Sequence, residues 1–228
     1  MEKRIKSAIE DFRLFSDRGY RRDSILRFVG DRYQLTGKER LLLHRCVYGK
    51  KEAAARRRKQ ADVKAVKGRR LAVDGYNNLI TLESFLQGKL LVYCDDGFIR
   101  DLSEVHRRYR INPATEKALN LMAETLKSLR IGAVKVFYDS QLSRSGELAA
   151  LTRRVLAAWG LEGDATAVRR GDTSVLAWSR LAASSDSVII QKAWKVLDLA
   201  GFIVRKKAPD KVVRLNRLSE EALENLLA

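Results

Sequence analysis

Ile5, Ile9, Phe12 and Phe15 recur at steps of four, three and three, the spacing of one face of an α-helix. Ile25, Phe28, Val29 and Tyr33 repeat that spacing, with Asp23 or Ser24 placed to cap the segment. Thr36-Gly37-Lys38-Glu39 is a capping box, in which hydroxyl and carboxylate each satisfy an amide at the start of a third helix through Val47. From residue 71 the pattern changes. Short apolar runs at Leu71–Val73, Leu90–Cys94, Ala133–Tyr138 and Leu181–Ala183 alternate with helical spacing. Asn112-Pro113 caps a helix through Leu129, Leu148 to Trp159 forms another that Gly160 stops, and Val188 to Ala200 reads as a third. Phe202–Arg205 and Val212–Leu215 read as a hairpin or edge strands, before a terminal helix that starts at Ser219. The expected fold class is α/β, a mostly parallel sheet flanked by helices and preceded by a small all-α domain. The expected domains are residues 1–67, helical with a basic arm, and residues 68–228.

Composition narrows the class. The 228 residues hold two cysteines and two prolines, with 46% hydrophobic residues, which excludes a disulfide scaffold and a disordered chain. Apolar runs of about five residues are too short to cross a bilayer, and the amphipathic start is no signal core, so the expectation is a soluble, cytoplasmic protein. Cys46 and Cys94 fit buried reduced thiols, and His44 and His106 fall in no zinc-binding spacing. The formal net charge is +17, and residues 1–70 alone carry 22 Lys and Arg against 9 Asp and Glu. A polyanionic partner follows, nucleic acid before a membrane surface, because the basic run lacks a wide apolar face. Arg56, Arg57, Arg58, Lys59, Arg69 and Arg70 read as an arm that tracks phosphates without reading sequence, or as a solvated helix face. Tyr20, Tyr33 and Tyr48, interleaved with arginines, suit stacking on single strands and equally suit packing.

Candidate chemistry sits at the ends of the apolar runs, which reach Asp74, Asp95 or Asp96, Asp139 and Asp186. Aspartate is common there as a turn former and helix cap. In a parallel sheet, however, the carboxyl ends of the strands line one edge, where ligands bind. Carboxylates crowded there raise one another's pKa, and a divalent cation relieves the conflict; an all-oxygen site selects Mg²⁺ or Mn²⁺. Metal-bound water suits phosphodiester hydrolysis. Arg144-Ser145-Gly146 follows Asp139 at a helix start, offering backbone amides and a positioning charge to a phosphate.

The order Val73-Asp74-Gly75-Tyr76-Asn77, Tyr138-Asp139-Ser140 and Ser184-Ser185-Asp186-Ser187 resembles the PIN-like (NYN/PIN) nuclease superfamily. With Cys94-Asp95-Asp96-Gly97-Phe98-Ile99-Arg100-Asp101, Ser143-Arg144-Ser145-Gly146-Glu147-Leu148, Arg18-Gly19-Tyr20 and Arg40-Leu41-Leu42, the chain resembles the domain of unknown function 434 family joined to a PIN-like half. The resemblance implies a Mg²⁺- or Mn²⁺-dependent endoribonuclease, with RNA ahead of DNA as partner. It implies Asp74, Asp139 and Asp186 as catalytic, with Asn77 orienting the first carboxylate or its water. Asp96 and Asp172 would join Asp74, Asp139 and Asp186 around the metal, with Asp95 and Asp164 as competitors for those two places. Arg144 and Ser145 would meet the nucleic acid. The alternative is a non-catalytic RNA-binding protein with a degenerate acidic pocket. A haloacid-dehalogenase phosphatase needs a second aspartate where Tyr76 stands. The resemblance also admits a homodimer, for which the sequence locates no interface.

Overall fold

The computed structural model describes residues 2–103 and 109–227, so His106 lies outside the described residues. In chain order the elements begin with α1 (Glu2–Asp17), α2 (Arg22–Arg32), α3 (Gly37–Cys46) and α4 (Lys50–Lys59). Next come β1 (Arg70–Asp74), α5 (Gly75–Leu86), β2 (Leu91–Tyr93), β3 (Ile99–Arg100), α6 (Pro113–Ser128) and β4 (Ala133–Asp139). Then follow α7 (Ser145–Ala158), β5 (Gly163–Val168), α8 (Gly171–Trp178), β6 (Leu181–Ala183), α9 (Ser187–Lys192) and β7 (Lys195–Leu197). The chain closes with α10 (Leu199–Lys207), β8 (Val212–Arg214) and α11 (Glu220–Leu227). No helix among the described residues is long and apolar enough to cross a membrane.

These elements form two compact units, and neither is a single stretch of chain. The helical unit comprises Met1–Arg58, Gly88–Leu102 and Ala208–Ala228; the sheet unit comprises Lys59–Gln87 and Ser103–Lys207. The units thus interleave along the chain and do not divide it once after residue 67. The cause is strand pairing: β2 pairs parallel with β8 from Leu91↔Val212 to Tyr93↔Arg214, and antiparallel with β3. Both excursions complete the helical unit's core, where Val92, Cys94, Leu215, Leu218 and Leu223 join Ile5, Phe12, Val29, Leu42 and Leu43. The capping box is present, with Thr36 N–H donating to Glu39 Oε2 at 2.7 Å and Glu39 N–H to Thr36 Oγ1 at 3.3 Å. The second helix starts two or three residues earlier than the expected cap at Asp23 or Ser24 would place it. Its N-cap is Arg21, without a side-chain bond, and Asp23 sits in the first turn where a negative charge favours the helix dipole.

The sheet unit is built on five parallel strands in the order β5-β4-β1-β6-β7. Helices α5, α6, α7 and α10 pack together on one face, while α8 and α9 pack together. Right-handed crossovers place that second pair on the opposite face. Covered on both sides, the central strand buries Leu71, Ala72 and Val73 completely. Asn112 caps α6 with Pro113 in its first turn, and Gly160 stops the helix before it at φ 61°, as expected. Three expectations fail. Residues 188–200 are not one helix but α9, β7 and the start of α10. Residues 202–205 are helical, because Leu199, Ala200, Ile203 and Val204 bury one face. No hairpin forms; the edge-strand reading holds only for Val212–Arg214, which is β8 at the edge of the helical unit's sheet.

The chain runs outward from β1 to β4 and β5, then crosses back to β6 and β7. The strand order therefore reverses between β1 and β6, and the crevice outside their carboxyl ends is the place where such sheets bind ligands. Counted by unit, the helical part holds 22 Lys and Arg against 15 Asp and Glu, a net of +7. The sheet unit holds 23 against 13, a net of +10. The sequence-based division into a basic third and a near-balanced remainder is thus replaced by two basic units.

Candidate functional site

At that reversal β1 ends in Asp74 and β6 runs into Ser184-Ser185-Asp186. Two asparagines tie the strand ends together. Asn78, buried, donates from Nδ2 to the carbonyls of Asp74 (2.9 Å) and Ala183 (2.8 Å), and its Oδ1 accepts from Ala200 N–H at 3.3 Å. Asn77 Oδ1 accepts from the Ser185 N–H at 2.7 Å and its hydroxyl at 3.1 Å. Asp74 also caps α5, accepting Asn77 N–H at 3.4 Å. Its other oxygen accepts the Ser184 hydroxyl at 2.8 Å, and that hydroxyl accepts Asp186 N–H at 2.9 Å. Ser184 is therefore a direct hydrogen-bonded link between the two acidic residues. Asp186 caps α9, its Oδ1 accepting from Val188 N–H at 2.8 Å and Ile189 N–H at 3.1 Å. The motif glycine serves packing: a Cβ on Gly75 would lie 2.3 Å from the Tyr138 ring.

Asp139 ends β4, two residues beyond Phe137, the partner of Asp74 across the sheet. Its Oδ1 accepts Gln141 N–H at 2.9 Å. Burial and then the Asp139 charge push the Tyr76 hydroxyl up to about 12. Asp172 is exposed in the first turn of α8, beyond the carboxyl end of β5. Burial, foremost, and then the charge of Asp186, opposed by the Ser184 and Asn77 hydrogen bonds, bring the Asp74 carboxyl up to about 7; Asp172 adds a smaller push in the same direction. Asp74, Asp172 and Asp186 thus share one electrostatic field. Among the described residues no three acidic, histidine or cysteine side chains are already closed up as a metal-binding set.

That shift has a stability consequence in metal-free protein. A carboxyl whose folded pKa lies above its unfolded value of 3.8 binds a proton more tightly when folded, so its cost is absent near pH 4. Stability should then fall as pH rises toward 7 and level off above. Urea melts in EDTA should find Asp74→Asn more stable than wild type at pH 8, by up to ~4 kcal/mol, and equal at pH 4. Parallel pH curves for the two proteins would contradict the shift.

Other expected site residues lie elsewhere. Asp95 and Asp96 are corrected: β2 belongs to the helical unit's three-stranded sheet, not to the acidic edge. Asp96 is fully buried in a two-pronged pair with Arg100 (2.8 and 2.7 Å), and Asp95 pairs likewise with Arg13 (2.8 and 2.6 Å). Asp164 stands at the start of β5, the opposite edge, beside Lys135 at 3.1 Å. Arg56 is not a phosphate arm either; it is buried, bonded to Glu52, with its guanidinium 4.3 Å from the Tyr48 ring centre. Arg57 is exposed and donates to the Asp95 carbonyl, Arg58 to that of Ala54 at 3.4 Å, and Lys59 to that of Gln191. Arg69 and Arg70 are exposed at the amino edge of the sheet, away from Asp74. Arg144, left-handed at φ 63°, is exposed at the carboxyl edge and pairs with Glu147 at 2.6 Å; Ser145 is buried at the start of α7. Sequence reasoning missed the roles of Asn78 and Ser184, and it missed Arg169 and Arg170. Those arginines follow β5 at the carboxyl edge, exposed and without an ion pair among the described residues. The only signal for them was a strand too polar to stand out.

The fold and site define a two-unit α/β protein with an acidic edge at the reversal point of a parallel sheet. Residues 63–202 match the domain of unknown function DUF5616, and residues 4–59 match the protein of unknown function DUF434. The chain is 38% identical over 187 residues to "Uncharacterized protein MJ0935" of Methanocaldococcus jannaschii, covering 82% of this chain and 89% of that protein. The chain belongs to the DUF5616 family and carries a DUF434 segment before it, as the DUF434 resemblance of the sequence implied. No solved structure matches it. The gap between the two matched segments falls where the chain passes from the helical to the sheet unit, near residue 59.

Proposed function

We propose that the chain is a metal-dependent, PIN-like ribonuclease acting at the carboxyl edge of its parallel sheet. The observation that carries this reading is Asp74, held at the reversal point with its carboxyl brought up to about 7 by burial and by Asp186, with Asp172 contributing. Such a charge conflict costs stability without a cation and fits one, and the all-oxygen donors suit Mg²⁺ or Mn²⁺. Asp74 and Asp186 would hold the ion, with Asp139 and Asp172 as the further carboxylates of the same edge. Bound there, such an ion would neutralise phosphate charge and lower the pKa of a water molecule.

The chain's own residues divide the remaining tasks. Ser184 fixes the Asp74 carboxyl through its 2.8 Å bond, and Asn77 fixes the backbone that carries Asp186. Arg144, Arg169 and Arg170, on loops beyond β4 and β5, supply positive charge that draws the phosphate backbone over the acids. RNA incubated with purified protein and Mn²⁺ should be cut, and EDTA should stop it; equal cutting in EDTA, or none with Mn²⁺, would overturn the reading. A non-catalytic RNA-binding role is the second reading, favoured by Asp186 and Asp139, whose carboxylates already accept backbone amides, Asp186 as the cap of α9 and Asp139 in the turn after β4. It predicts RNA bound intact in Mn²⁺.

A further inference from the structure

Trp194 is 71% exposed, more than any other large apolar side chain among the described residues. It immediately precedes β7, and its neighbours follow from the strand registers. Leu181 pairs with Lys195, which sets Trp194 opposite Arg180; Ala72 pairs with Ala182, which sets Arg180 opposite Arg70. Hydrogen bonds to the backbone agree with the row: Lys195 N–H donates to the Arg180 carbonyl at 3.2 Å, and the Ser179 hydroxyl donates to the Arg70 carbonyl at 2.8 Å. Arg70, Arg180 and Trp194 therefore cross three adjacent strands at about 5 Å per strand. The Arg70 guanidinium lies 4.3 Å from the Trp178 ring centre, and Arg69 and Lys192 add exposed cations beside the row. Residues 67–73, 178–183 and 191–197 contain no aspartate or glutamate. At the start of β5, two strands beyond β1, the edge does carry acids, Glu162 and Asp164.

We propose that this amino edge is a platform for single-stranded nucleic acid, with Trp194 stacking on a base and Arg70 and Arg180 meeting the phosphates. A flat ring set among arginines matches a strand whose bases expose π-faces and whose backbone is anionic. The platform stands at the far end of β1 from Asp74, roughly 13 Å along the strand, so it is separate from the acidic edge. It does not rest on the nuclease reading, since holding a strand requires no cleavage.

The test uses the full chain and a fluorescently labelled oligouridine in EDTA. Trp194→Ala should weaken binding about tenfold, the loss of one stacked base, and Trp194→Phe should recover most of it. Arg180→Gln should lower the salt dependence by about one charge. EDTA removes any metal-dependent cleavage from the readout, so failure of the nuclease reading leaves this result standing. Unchanged affinity in Trp194→Ala would overturn the proposal. So would duplex RNA competing as well as the single strand, or tryptophan shielding that follows protein concentration alone, which would assign the edge to a second copy.

Discussion

Asp74→Asn should lower Mn²⁺-dependent RNA cleavage by more than roughly 100-fold and leave RNA binding intact. Loss of a residue that merely orients a metal ligand costs about 10- to 100-fold, and Asp74 is proposed as a ligand itself. Asparagine keeps the oxygen that accepts Asn77 N–H and the cap of α5, so the strand end is preserved while the charge is lost. Ser184→Ala should fall between variant and wild type, inside that 10- to 100-fold range, because it removes only the bond that fixes the carboxyl. Gel-resolved cleavage rates measured beside oligonucleotide binding separate the two effects. Equal cleavage by Asp74→Asn and wild type would remove Asp74 from the chemistry.

The largest stability effect is expected in the helical unit. Asp96 and Arg100 are 0% and 3% exposed, and Arg56 lies 3.6 Å from Oδ2 of Asp96, an oxygen that Arg100 also bonds. Asp96→Ala strands a buried guanidinium, and guanidinium-chloride unfolding should show a loss of about 3–5 kcal/mol. Replacing both members, Asp96→Leu with Arg100→Met, should restore much of that loss, because an apolar pair has no charge to desolvate. A loss under about 1 kcal/mol for Asp96→Ala would mean that water reaches the pair. A loss of the expected size marks Asp96 as a fold residue.

Local signals in the sequence were read well where one short segment decides the outcome. The Thr36–Glu39 capping box, the Asn112-Pro113 start and the Gly160 stop depend only on neighbouring backbone, and all three stand. Pairing partners were not legible. The run ending at Asp95-Asp96 has the same texture as those ending at Asp74 and Asp139, and nothing within it says that β2 pairs with β8 in another unit. β5 escaped notice because it is an edge strand, with Ala165 its only fully buried residue, so no apolar run marks it. Arg169 and Arg170 were lost with it. The α/β class and the parallel sheet follow from alternation alone. The carboxyl edge could be named in advance because any parallel sheet has one. Which acids share it depended on strand order, fixed by contacts distant in sequence.

Crystals soaked in saturating Mn²⁺ and measured at the manganese absorption edge bear most directly on the proposed metal at the acidic edge. Anomalous density should lie between the carboxylates of Asp74 and Asp186, and it should vanish in Asp74→Asn. Density seated elsewhere, or none at that edge in the wild type, would contradict a metal-dependent nuclease built on these residues.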